Sequence, residues 1–120
     1  MANTFTKATK SSLAQSSPGS NESNTATTFD VLTLGASSTG VILSILVSNK
    51  LGSSANANIY LLPYSTGAGV YLLKNAPIPA GSSLEIISGS KIIINSNDVL
   101  RASSDTTSAL DITISYLLQQ

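Results

Sequence analysis

The 120-residue sequence contains no cysteine, no histidine and no tryptophan. Without cysteine it can have no disulfide framework and no thiolate zinc site, and it gives no clue to redox compartment. Without histidine, a serine nucleophile has no imidazole to act as its base. Charge is scarce too. Charged side chains are 10% of the chain, against roughly 25% in an average soluble protein. Six basic residues balance six acidic ones, so the formal net charge is zero. Nucleic acid calls for clustered Lys and Arg, which this chain lacks. A neutral chain also repels its own copies only weakly, which favours association. No apolar run approaches membrane-spanning length. The opening MANTFTKATKSSLAQSS has no hydrophobic centre of the kind a signal peptide needs,. The expectation is a protein made and used without secretion and without a membrane.

What the chain does have is Ser and Thr for polarity and aliphatic residues for a core, with hydrophobic residues at 42%. Residues 1–27 read as an extended arm rich in Ser, Thr, Asn and Ala, whose large apolar groups are Met1, Phe5 and Leu13. Such a segment buries too little to offset its chain entropy alone. Order in it requires a surface, either its own domain or a neighbouring molecule, and the neighbour is the expectation.

Residues 28–120 read as one domain of short strands and turns. The segments are 28–34, 41–47, 58–62, 70–74, 83–87, 91–94, 98–103 and 110–118, each bounded by Gly, Ser, Asn or Pro,. No segment has a helical period with caps. The expected fold is all-β: a single β-sandwich or jelly-roll-like domain of about eight antiparallel strands with an extended N-terminal arm. In 110–118 the alternation is clean, with Leu110, Ile112, Ile114, Tyr116 and Leu118 on the core side,. Pro79-Ala80-Gly81 suits a turn with Gly at positive φ. Ser88-Gly89-Ser90 reads as the turn of a hairpin between two isoleucine strands.

Other strands carry apolar doublets and triplets: Leu61-Leu62, Leu72-Leu73, Ile86-Ile87, Ile92-Ile93-Ile94 and Leu117-Leu118. One member of each can enter the core. The other needs a second apolar environment, because continuous apolar runs belong to strands covered on both faces. In the hairpin, Leu84, Ile86, Ile92 and Ile94 are expected inside and Ile87 and Ile93 outside. The expected partner-binding residues are Phe5, Leu13, Leu62, Leu73, Ile87, Ile93 and Leu117, and the expected partner is another copy or another protein. Isolated surface leucines are ordinary, but their repetition in so many strands is not.

Catalytic chemistry has little to work with. Lys74 and Lys91 flank Ser82, Ser83, Ser88 and Ser90, a conceivable Ser–Lys arrangement, but lysines at strand ends also serve to discourage edge pairing. Gly67-Ala68-Gly69 precedes a strand-like segment, which lacks the helix N-terminus of a phosphate loop. Asn95-Ser96-Asn97-Asp98 offers oxygen ligands, though calcium favours a longer, more acidic loop and these are the usual turn residues. Asn21-Glu22-Ser23 matches a glycosylation acceptor, out of context in a chain without a secretion signal. Glu85, set among Leu84, Ile86 and Ile87, is a candidate inter-subunit partner for Lys91 or Arg101. No catalytic, cofactor-binding or metal-binding residue is assigned.

From Leu72 to Leu118 the chain resembles a family of small structural proteins of tailed bacteriophages, marine and cyanobacterial phages included. The resemblance rests on Pro79-Ala80-Gly81, Ser83–Ile87, Gly89-Ser90-Lys91-Ile92, Asp98–Arg101 and Asp111–Tyr116, with an opening MANTFTKAT similar to many virion proteins. It implies a non-enzymatic virion protein without cofactor, assembled in the host cytoplasm. Its role would be a capsid decoration (cement) subunit on the major capsid protein, as a homo-oligomer such as a trimer. A neck, tail or fibre-attachment component is the alternative. A carbohydrate- or host-surface-binding module is a second, though sugar platforms favour exposed aromatics and these are only 5% of the chain.

Overall fold

The computed structural model describes residues 3–13, 15, 29–64, 69–87, 91–106 and 108–120. The strands are β1 (Asn3–Lys10), β2 (Asp30–Thr33), β3 (Thr39–Asn49), β4 (Ala55–Leu62), β5 (Val70–Ile78), β6 (Ser83–Glu85), β7 (Ile92–Ile94), β8 (Val99–Ser104) and β9 (Leu110–Gln119). They form two antiparallel sheets. Sheet A has the order β1-β9-β3-β6, with β7 also paired to β3, and sheet B has the order β2-β8-β4-β5.

Strands β6 and β7 lie end to end along one edge of β3. Leu84 pairs with Val47, and Ile93 pairs with Val41, both antiparallel. Both pieces therefore run in the same direction and form one broken strand, which corrects the expected isoleucine hairpin. Ser88-Gly89-Ser90 lies outside the described residues. Counted this way the described residues give eight strand positions, and the two orders are jelly-roll-like,. Among the described residues only β4 and β5 form a hairpin within one sheet. The expected Pro79–Ser82 turn is present: the Ser82 N–H donates to the Pro79 carbonyl at 3.1 Å, with Gly81 at φ 67,.

The core lies between the sheets. Ile45, Val47, Ile112 and Ile114 from sheet A join Leu32, Ile59, Leu100 and Ala102 from sheet B in one cluster. Each large side chain so buried contributes roughly 1.5–3 kcal/mol. In β9 the alternation is as expected, with Leu110, Ile112, Ile114 and Tyr116 buried.

The N-terminal segment departs from the expectation of an arm lying on a neighbour. Asn3–Lys10 is a strand of the domain itself, paired to β9 from Asn3↔Gln119 to Lys10↔Ile112. Leu13, expected at a partner, is 1% exposed in the protein's own core. Its N–H donates to the Leu110 carbonyl at 2.8 Å. An eight-residue ladder and one buried leucine offset the entropy that composition alone could not.

Candidate partner-binding face

Residues directly opposite in an antiparallel pair share a face. On the outer side of sheet A the registers align Phe5 with Leu117, Leu117 with Val41, and Val41 with Ile93. Four strands thus contribute one apolar side chain each to a continuous row. Its ends are open, with Phe5 76% and Ile93 56% exposed, while Leu117 and Val41 are half-buried. A second outward row aligns Thr9, Thr113, Leu46 and Glu85, and Leu46 is exposed. Between the rows lie Lys7, Ser115 and Ser44. The face is therefore apolar at one row and mostly hydroxyl-bearing around it.

Three of the seven predicted residues, Phe5, Ile93 and Leu117, come together in this row. Leu62 lies opposite Val99, half-buried on the outer side of sheet B, and so belongs to the other face of the sandwich. The remaining three are corrections. Leu13 is core. Leu73 pairs with Ile59 and packs against the core together with Leu72, because the β4–β5 ladder shifts register between Ile59 and Tyr60. Ile87 is 7% exposed and in the core: the chain leaves the strand after Glu85, and both Ile86 and Ile87 turn inward. Val41 and Leu46 were not predicted. A bulge between Ile42 and Ser44 switches which residues of β3 face out,; in the apolar run VILSILV nothing marks its place.

Several polar side chains are committed to structure. The Lys50 ammonium donates to Ser12 Oγ at 2.8 Å and to Asp111 Oδ1 at 2.9 Å. The Ser12 N–H donates to the same carboxylate oxygen at 2.8 Å. That backbone hydrogen bond, aided by Lys50, holds the Asp111 carboxyl below its ordinary value. A Ser–Lys nucleophile needs a neutral amine, whereas Lys50 is exposed and ion-paired. The trio is a clip that fastens the segment after β1 to β9. Lys74 instead stands 4.8 Å over the Tyr71 ring.

Asp98 is buried and accepts from the Tyr64 N–H at 2.9 Å and the Asn95 N–H at 2.8 Å, one on each carboxylate oxygen. It pins the 95–98 turn. Among the described residues no group of three or more Asp or Glu is placed to hold a metal ion. Gly69 lies against the Tyr60 ring, where a Cβ would come within 2.0 Å of it; Gly67 and Ala68 lie outside the described residues, as does Asn21-Glu22-Ser23.

Within the chain, Arg101 Nε donates to Asp30 Oδ1 at 2.8 Å on sheet B, and Glu85 Oε1 accepts from the Ile45 N–H at 3.3 Å on sheet A. Tyr60 and Tyr71 pack edge to face at 5.0 Å, and Tyr60 is buried. Of the four tyrosines, Tyr64 alone is widely open, so no row of exposed rings forms a stacking platform among the described residues. No family model, curated protein or solved structure matches the chain.

Proposed function

We propose that the chain is a non-enzymatic structural subunit of a tailed-phage virion, in the first place a capsid decoration protein. It docks on another virion protein through the outer face of sheet A. The observation that carries this reading is the row Phe5–Leu117–Val41–Ile93, a line of apolar side chains crossing a whole sheet of a neutral molecule. Covering such a row removes apolar surface from water at about 25 cal/mol per Å², and the surrounding hydroxyls desolvate at less cost than charges would. The jelly-roll order supports the reading as an architecture that viral capsid proteins use, although lectins and other proteins use it too. The phage resemblance of residues 72–118 supplies the choice among them.

Mass spectrometry of particles purified from cells producing the phage and this chain should find the chain in the particles. Ile93→Asp should leave the fold intact and abolish co-sedimentation with particles. Absence of the wild-type chain from the particles, or undiminished co-sedimentation of the variant, would overturn the reading.

A further inference from the structure

Among the described residues the two sheets present four edges: β1 and β6/β7 in sheet A, β2 and β5 in sheet B. An open edge offers unpaired N–H and C=O groups to any strand alongside, and proteins blunt most of theirs. Three of these edges are blunted. Strand β2 is four residues long and irregular. Strand β5 is interrupted by Asn75 at φ 53 and by Pro77, which has no N–H to give,. The β6/β7 edge is broken into two three-residue pieces. Strand β1 differs: it has eight residues in an unbroken ladder to β9. Asn3, Thr4 and Phe5 are all exposed. Thr4 aligns with Leu118 and Gly40, on the inward side of the sheet, so its exposure marks this half of the edge as uncovered.

We propose that β1 pairs antiparallel with β1 of a second copy, across a two-fold axis that passes by Phe5 perpendicular to sheet A. This rests on the reading of the outer face of sheet A as a contact surface, and names a partner that meets it at one end. Such an axis keeps outward residues opposite outward residues, and charge then selects the register. Centred on Lys7, the pairing would set two ammonium groups opposite each other, which is destabilising. Centred on Thr6, it would set Phe5 against Lys7. Centred on Phe5, it sets Phe5 on Phe5 of the partner subunit and Lys7 on Asn3 of the partner subunit. Lys10 lies beyond this overlap, and its ammonium donates to the Asp30 carbonyl at 3.1 Å. In that register the two apolar rows join into one line running from Ile93 of one subunit to Ile93 of the other. Aromatic pairs placed directly across strands are among the favourable ones. The contact is isologous, so it closes at two copies.

The chain has no cysteine, so single-cysteine variants report the register directly. Opposed residues in an antiparallel pair have Cα atoms about 4.5–5.5 Å apart, within the about 4.4–6.8 Å a disulfide spans. Under mild oxidation Phe5→Cys should convert to a covalent dimer, and Ile93→Cys should not. Light scattering of the wild type up to about 1 mM should show a mass that rises with concentration from one chain toward two. Phe5→Lys should return it to one. A single-chain mass for the wild type throughout overturns the proposal, as does cross-linking through Ile93→Cys but not Phe5→Cys. Loss of edge pairing with particles still decorated would remove this proposal and leave the proposed function standing. A dimer absent from particles would do the reverse.

Discussion

At the scale of single residues, the clip of Ser12, Lys50 and Asp111 makes stability depend on pH with a definite sign. Asp111 is held below the ordinary carboxyl value of 3.8 by the Ser12 N–H and then by Lys50. A depressed folded-state pKa contributes stability that is present above the unfolded value and lost as pH falls through the folded one. Because the pair is about 40% exposed, solvent screening keeps its worth to about 0.2–1 kcal/mol. Urea unfolding of Asp111→Asn should therefore show a slightly lower midpoint at pH 7 and a flatter decline than wild type below pH 4. Equal declines would mean the carboxylate is not held. Gly69 gives a second residue-scale prediction. Gly69→Ala drives a methyl group into the Tyr60 ring and should cost about 1–3 kcal/mol. Gly52→Ala, where a Cβ meets nothing within 4 Å, should leave thermal unfolding unchanged.

At the scale of elements, the two isoleucine pieces separate by role. Ile87→Asp places a carboxylate in the core and should cost about 3 kcal/mol or more, or prevent folding. Ile93→Asp, on the outer row, should change the denaturant midpoint by about 0.5 kcal/mol or less. Similar losses for both would contradict the placement of Ile87. Period-two alternation made β9 legible, and turn residues located most strand ends. The hairpin reading of 83–94 failed because two short apolar runs close in sequence read alike whether they face each other or lie end to end; β3 decides between these by pairing antiparallel with both pieces. The doublets were half legible. The bulge in β3 and the register shifts in β5 let both members of a pair face the core or move the outward position by one. That choice depends on the neighbouring strand, which is distant in sequence.

For the whole molecule, the N-terminal segment is the main departure from a local reading. Its composition suggests an arm, yet β1 ends the ladder begun by the C-terminal strand, and Leu13 closes the core. A contact between residues 3–10 and residues 112–119 leaves no mark in either segment alone. Three of the four outer-row residues are visible in composition and pattern, but only the sheet order shows that they align. The neutral charge and sparse charged surface then fit a molecule that is covered on one face, with the open edge of β1 at the end of that face. The measurement that tests this most directly is a cryo-microscopy map of purified particles carrying the chain. It should show the outer face of sheet A, with Phe5, Leu117, Val41 and Ile93, packed against a neighbouring protein. A chain seated by sheet B with that row facing solvent would contradict the account.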